Sequence, residues 1–259
     1  MEKYIPPFSI TSKIVDMISS IDGKIRQLDN NLEKEEMFQK NNLIHSIHSS
    51  LAIEANSLSF SQVKDVINGK NVIASTNEIQ EVKNAYEAYL HISNVNPYSI
   101  RDLKSIHGIM TKSLVKESGK FRSVEEGIFD KDGNCIHICP PPEQVDGLIK
   151  QLFSWMKENK DKIHPFILSS VFHYEFVFIH PFCDGNGRMA RLWQDVILSN
   201  FENLFMYLSI ESMIRKHQND YYFAISQSNV KGESTCFVEF MIKMIDKALD
   251  ELNKNNAVE

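Results

Sequence analysis

Twelve consecutive residues, HPFCDGNGRMAR at 180–191, carry the side chains that phosphate chemistry requires. His180 has an imidazole that titrates near neutrality, so it can act as a general base or acid. Asp184 supplies a carboxylate of the kind that holds Mg²⁺ beside phosphates. Arg188 and Arg191 share one helix face, and guanidinium groups bind phosphate oxygens in a bidentate manner. The segment therefore predicts a site for a metal-bound polyphosphate.

The backbone of the same segment favours this chemistry. Pro181 disfavours the α conformation at His180, so the preceding helix should end there and place the histidine at its rim. Gly185-Asn186-Gly187 tolerates positive φ and leads into a new helix. The N–H groups at such a helix start point the same way and form a nest for an anion.

Helices must position this segment. The stretch 165–179 is apolar on most faces, which is typical of the central helix of a bundle. Asp132-Gly133-Asn134 between two short runs predicts one small β-hairpin in an otherwise mainly α fold. We expect an N-terminal helical region at 1–94 and a core at 95–259. Helices are predicted at about 12–25, 33–55, 61–67, 77–92, 100–119, 143–159, 165–179 and 237–252, besides the one that follows the glycines.

Composition narrows the class of protein. The 259 residues include only 10 Gly and 8 Pro, which excludes collagen-like and low-complexity chains. A net charge of −6 disfavours non-specific nucleic-acid binding. The first residues lack the apolar core of a signal peptide, and no apolar run reaches the roughly 20 residues of a membrane helix. With only four cysteines, we expect a cytoplasmic protein. From the charge and the missing apolar run we expect neither nucleic-acid nor membrane partners.

The segment at 180–191 resembles the H-x-F-x-[DE]-G-N-G-R-x-x-R motif of Fic-domain proteins at every defined position. Other parts are similar as well: FHYEFVFIHPF to the family's central helix, GKFR and the hairpin before Pro140 to its flap, and NDYYFAISQSN to its C-terminal helices. YIPPFSIT and SLAIEANSLS resemble stand-alone bacterial members. The resemblance implies a Fic-fold helical bundle with a flap at about 123–139 and a catalytic loop at 180–191.

The resemblance also implies protein AMPylation. His180 would deprotonate a Ser, Thr or Tyr hydroxyl of a target protein, or of the chain itself, for attack on the α-phosphate of ATP. Asp184 would bind Mg²⁺ or Mn²⁺, and Phe182 would anchor the loop. The family relative that phosphorylates its target has Lys in place of Gly187. The glycine at this position therefore favours adenylyl transfer. The anion hole would be Gly185, Asn186 and Gly187, with Arg188 and Arg191 holding the β- and γ-phosphates.

A second informative segment lies at about 40–56. Glu54 shares a helical stripe with Ile47 and Leu51, so it should face the protein, where a charge needs a partner. We expect that partner to be Arg191. The segment resembles the family's inhibitory motif [ST]-x-x-x-E-[GN] at Ser50 and Glu54. Ala55 departs from it, and alanine favours a helix that continues.

The remaining assignments concern the residues that would contact the target protein and the adenine base of the nucleotide. An exposed flap edge can pair with a strand of the target, with Ile128 or Phe129 touching it. Tyr221 and Tyr222, with Asn219, would line the adenine pocket or serve only in packing.

Three alternatives to AMPylation stay open. The first is removal of AMP or another nucleotidyl transfer, and the second is a catalytically silent nucleotide-binding regulatory module. The third is a metal-dependent hydrolase built on His173, His180 and Asp184. Target identity, base preference and oligomeric state are not determined by the sequence.

Overall fold

The computed structural model describes residues 4–27, 36–129 and 135–256. Within these residues the chain is mainly helical with one two-stranded antiparallel sheet, as predicted. The first five helices are α1 (Ser12–Gln27), α2 (Glu36–Ile53), α3 (Phe60–Ile67), α4 (Thr76–Leu90) and α5 (Ile100–Met110). The strands β1 (Gly127–Phe129) and β2 (Cys135–Ile138) follow. The remaining helices are α6 (Pro142–Asn159), α7 (Pro165–Ile179), α8 (Asn186–Ser199), α9 (Ile210–Lys216), α10 (Gln218–Lys231) and α11 (Thr235–Asn256).

Helix α7 lies at the centre of the bundle. Its side chains are buried except at Pro165, Val177 and Phe178, as expected for a helix that is apolar on most faces. It packs against α6, α8 and α11. Every residue of α8 except Gly187 is buried, so the motif lies where two buried helices meet.

The N-terminal helices share the core of the bundle. Helix α1 packs on α11, and α2 packs on α4 and α9. Buried residues of α2, such as Ile44 and Ile47, belong to the same hydrophobic cluster as the residues of α7 and α8. A division at residue 94 stays a prediction. None of the described helices is long and apolar enough to cross a membrane.

Two local predictions need correction or restriction. Helix α5 ends at Met110 and not near Gly119. Thr111 donates its hydroxyl to the His107 carbonyl at 2.7 Å, and Ser113 has a left-handed φ of 62°. Side chains that bond the nearby backbone compete with helix continuation. In the sheet Ile128 pairs with His137, whereas the Asp132-Gly133-Asn134 turn lies outside the described residues.

Candidate active site

His180 ends α7 in an unusual backbone conformation. As the C-cap it adopts φ 52° and ψ 61°, which lie in the left-handed region that residues with a Cβ rarely occupy. Its Nδ1 lies 3.3 Å from the Val177 carbonyl. Because a carbonyl only accepts, Nδ1 carries the proton, which leaves Nε2 as the nitrogen that can take one. Burial lowers the pKa of His180, so the neutral, basic form prevails at pH 7.

The loop after His180 is fixed from both sides. Phe182 is fully buried, as predicted, and its ring stacks on His107 with centroids 3.6 Å apart. Gly119 N–H donates to His107 Nδ1 at 2.9 Å, so Nε2–H donates to the Asp184 carbonyl at 2.9 Å. Burial lowers the pKa of His107 to about 4, which keeps this tautomer neutral. The Asn186 side chain closes the loop by accepting from Phe182 N–H and donating to its carbonyl.

The sequence predicts the anion site at the start of α8. Gly185 is its N-cap with φ 81°, where an added Cβ would come within 3.0 Å of the Thr111 methyl group. Arg188 is 3% exposed and pairs with Asp184 at 2.9 Å. Glu81 lies 3.6 Å from Arg188 Nη1. Arg188 Nε and Nη1 are buried without a hydrogen-bond partner among the described residues. Buried donors of this kind call for an acceptor, and a phosphate oxygen fits.

Arg191 has its partners already. It is 2% exposed, and its Nη2 lies 2.7 Å from Glu54 Oε1. Ser50 accepts two further hydrogen bonds from Arg191, at its hydroxyl and its carbonyl, each at 3.0 Å. Burial alone would lower the pKa of Arg191, but Glu54 raises it above its ordinary value. The predicted Glu54–Arg191 pair is thus confirmed as a contact, with Glu54 seated where an anion would approach Arg191.

Helix α2 ends at Ile53, so the expectation that Ala55 prolongs it is wrong. Asn56 N–H bonds the Leu51 carbonyl at 3.1 Å and Ala55 N–H bonds the Ala52 carbonyl at 3.1 Å. This is the Schellman arrangement, in which the residue after the C-cap is left-handed and usually glycine. Ala55 occupies that position with φ 66°. Ala55 therefore adopts the conformation of the glycine it replaces, and Glu54 becomes the C-cap.

One cavity of about 470 Å³ brings His180, Glu54, Gly187 and Arg191 together, and its volume is within the roughly 300–1,000 Å³ range of small-molecule sites. Asp184, Gly185, Asn186 and Arg188 do not line it. Tyr222 is about half exposed at the cavity, whereas Asn219 is exposed outside it. The Phe129 side chain lies outside the described part of the chain. The cavity is lined by Glu54, Gly127, Ile128, His137, Val177, His180, Gly187, Arg191, Tyr221, Tyr222, Ile225, Ser226 and Asn229.

A buried polar chain lies beneath Arg191. His173 Nδ1–H donates to Gln194 Oε1 at 2.6 Å, and the Tyr221 hydroxyl donates to His173 Nε2 at 3.0 Å. Burial lowers the pKa of His173 to about 3, so it stays neutral. Both ring nitrogens are engaged, which leaves neither for the metal of a hydrolase built on His173, His180 and Asp184. Tyr221 is 2% exposed. It is part of this buried network and also lines the cavity.

Comparison with known proteins gives the same assignment. The sequence pattern of the Fic/DOC family matches residues 97–198. A Fic family protein from Desulfovibrio desulfuricans G20 superposes with a TM-score of 0.94 at 38% identity, covering 98% of this chain and 78% of that one. The chain belongs to the Fic family.

More distant Fic proteins extend the comparison. Protein adenylyltransferase Fic of Nematostella vectensis is 28% identical over 228 residues, which cover 84% of this chain and 49% of that protein. The chain thus spans about half the length of the curated relatives it matches. Fic-1 of Caenorhabditis elegans shares the fold, with a TM-score of 0.75 at 22% identity, over 95% of this chain and 73% of that one.

Three side chains that support the Fic motif were not singled out from the sequence. They are Glu81 beside Arg188, His107 under Phe182, and Arg122, which bonds the His180 carbonyl. Arg122 stands in the GKFR segment, but its partner is 58 residues away along the chain. No periodicity or local motif predicts such a contact.

Proposed function

We propose that this protein is a protein adenylyltransferase that transfers AMP from ATP to a hydroxyl group of a target protein. The observation that carries the proposal is one cavity lined by His180, with Nε2 ready to accept a proton, and by Gly187 and Arg191 of α8. The curated relatives named protein adenylyltransferase Fic support it. Nucleotide binding alone would not need the base.

In the proposed reaction one proton is transferred, one bond to phosphorus forms and one breaks. His180 Nε2 removes the proton of the target hydroxyl, whose oxygen attacks the α-phosphorus of ATP. The bond from that phosphorus to the oxygen bridging to the β-phosphate breaks, and pyrophosphate leaves. The product is a phosphodiester that joins AMP to the target side chain. Such transfer depends mainly on alignment and charge neutralisation, which the α8 N-terminus and Arg188 supply.

The residues present fit a divalent cation. Asp184 is half exposed beside the anion site, and a single carboxylate together with substrate phosphates is a common set of ligands for Mg²⁺. Asp184 would hold Mg²⁺ or Mn²⁺, which would neutralise phosphate charge during transfer. To do so its carboxylate shares or releases the Arg188 pair that it makes at 2.9 Å.

Glu54 sets the resting level of activity in this proposal. It uses the Arg191 donors that the γ-phosphate of ATP would otherwise occupy. Removal of the carboxylate should therefore improve ATP binding by the 5–150-fold range that typical coupling energies give. The cytoplasm, which supplies ATP and target hydroxyls, is the compartment in which we place the reaction.

The decisive experiment uses ATP labelled at the α-phosphate, with Mg²⁺, on the wild-type protein, His180→Ala and Glu54→Gly, alone and with a lysate. We expect label on protein, more with Glu54→Gly than with wild type, and none with His180→Ala. ATP labelled at the γ-phosphate serves as a control, since its label should leave as pyrophosphate.

Three outcomes would change the proposal. If wild type and Glu54→Gly bind ATP but label nothing, the silent binding module replaces the transferase. Release of AMP from a pre-labelled protein by wild type but not Glu54→Gly would favour the reverse hydrolysis, because Glu54 and His180 line the same cavity. Equal labelling by wild type and Glu54→Gly would leave the transferase and remove the inhibition.

A further inference from the structure

Arg122 occupies the junction between the flap and the end of α7. It is 3% exposed. Its Nε donates to the His180 carbonyl at 2.7 Å, and its backbone N–H donates to the Pro181 carbonyl at 2.9 Å. Its Nη1 donates to the Val124 carbonyl at 2.8 Å, and its Nη2 to the Pro140 carbonyl. One side chain thus holds the catalytic loop and the segments on both sides of the hairpin.

Among the described residues, the hydrogen-bond partners of this guanidinium are backbone carbonyls. No carboxylate of the described residues lies within ion-pair distance of Arg122. Its contacts are carbonyl oxygens that point inward from three segments. A rigid planar fork with five donors can serve several carbonyls at fixed angles, which a lysine ammonium on a flexible stem cannot do. A buried arginine with this pattern is suited to fixing backbone geometry.

We propose that Arg122 is a positioning residue that holds His180 and both limbs of the flap in one fixed arrangement. The flap would present the target hydroxyl, and His180 would take its proton, so the two must keep one distance. Arg122 sets that distance because its Nε and its Nη atoms bind the two parts at once. The consequence for transfer rests on the proposed function, whereas the consequence for geometry does not.

The backbone of His180 shows why a clamp is needed. Its φ of 52° is a left-handed conformation whose steric cost the surroundings must offset. Arg122 bonds the carbonyl of His180, and its backbone N–H bonds the next carbonyl. Without these bonds the peptide after His180 can rotate toward a relaxed conformation, and the imidazole would move with it.

The charge of Arg122 gives a second, independent readout. Burial lowers the pKa of His180 most; the Val177 hydrogen bond raises it, Arg122 and His137 lower it, and Glu54 raises it. Removing the guanidinium charge should therefore raise the pKa of His180. Histidine titration measures this directly and requires no turnover.

The experiment compares Arg122→Gln and Arg122→Lys with Lys120→Gln, a control that removes one exposed positive charge from the same loop. Amide hydrogen exchange is measured over 124–129 and 135–140, and His180 is titrated by nitrogen-15 NMR. We expect Arg122→Gln to speed exchange at least about tenfold, as for loss of a hydrogen bond to a charged donor, and to raise the His180 pKa. Arg122→Lys should speed exchange too but shift the titration less, since it keeps the charge. If Arg122→Gln does not melt cooperatively, Arg122→Lys gives the same exchange test.

The activity measurement separates this proposal from the proposed function. In a Glu54→Gly background we expect Arg122→Lys to lower kcat about 10–100-fold with ATP affinity within about twofold, as for a misplaced reacting group. Exchange and titration equal to the Lys120→Gln control would overturn the positioning role, whatever the transfer rate. Faster exchange and a shifted titration in a protein that transfers no label would support Arg122 and reject the transferase.

Discussion

Helices α2 and α7 both end with a residue other than glycine in the left-handed conformation, Ala55 at φ 66° and His180 at φ 52°. At α7 the next carbonyls are bound by a buried arginine, and Phe182 locks the loop by stacking on His107. At α2 Ala55 itself is exposed, and the chain is held by the side chain of Asn56. The end of α7 is thus held by a buried arginine and a buried ring stack, whereas the end of α2 leaves Glu54 and Ala55 exposed above the buried Asn56. In the proposed function Glu54 must leave its site to admit ATP, whereas His180 must stay in place as the base.

The largest expected effect comes from His180→Gly, which keeps the left-handed conformation available but removes the base. Transfer should fall about 10²–10⁴-fold, the usual contribution of a general base. The free energy of unfolding should be higher than that of His180→Ala, because glycine has no Cβ penalty at positive φ. Thermal melts and label transfer measure the two effects, and a less stable glycine variant would contradict strain at this helix end.

The pH dependence tests the same end of α7. The neutral form of His180 is the active one, and burial lowers the pKa of His180 below the ordinary 6.5. Transfer by Glu54→Gly should therefore have its acid limb centred below pH 6.5, and should fall tenfold per unit below the His180 pKa. Equal protein stability is checked at each pH by circular dichroism. An acid limb centred above 6.5 would mean that an anion other than Glu54 controls the base.

Gly187→Ala probes the contact between the two helix ends. An added Cβ would overlap Glu54 Oε1 and lie 3.3 Å from Arg191 Nη1. We expect a loss of about 1–2 kcal/mol of stability, as for overpacking. In the Glu54→Gly background the loss should vanish, so a double-mutant cycle by denaturant unfolding should give a coupling above about 1 kcal/mol. Additive effects would show that Glu54 does not sit over Gly187 in solution.

Asn56→Ala loosens the end of α2. The Asn56 amide donates to Glu81 Oε2 at 2.7 Å and to the Glu78 carbonyl at 3.3 Å, and its oxygen accepts from Leu58 N–H. Leaving buried groups unpaired costs about 1–3 kcal/mol. We expect a lower melting temperature and a higher basal transfer rate, with the exposed Asn71→Ala as control. A faster rate without destabilisation would place Asn56 in the site itself.

Ala55→Gly should have the smallest effect of these variants. Unlike Asn56→Ala, it should stabilise the protein. Relief of a left-handed alanine contributes about 1 kcal/mol, or about 2–4 °C in melting temperature for a chain of this size. A firmer helix end should also lower basal transfer toward that of a fully inhibited protein. Gly69→Ala, at an exposed turn with φ 74°, is the matched control and should destabilise. If Ala55→Gly leaves both quantities unchanged, the alanine at this position carries no strain.

Much of this protein was determined by local sequence. The apolar run at 165–179 predicts a central helix, because a helix that is apolar on most faces must be surrounded by other elements of the bundle. Pro181 and the glycines at 185 and 187 determine where α7 ends and α8 begins, since backbone sterics act between neighbours. The charged Glu54 on an apolar stripe required a partner. The motif offered Arg188 and Arg191, and the resemblance to the inhibitory motif pointed to Arg191.

Tertiary structure alone decided what restrains those elements. Alanine favours helix, yet Ala55 is left-handed because Asn56 and Glu81 fix the chain beyond it. Arg122 binds the His180 carbonyl across 58 residues of sequence. Propensity is a small local energy per residue, whereas a buried hydrogen bond between distant segments exists only once the bundle has brought them together. The sequence thus determined the chemistry at 180–191, and the packing of the other helices determined how firmly each part is held.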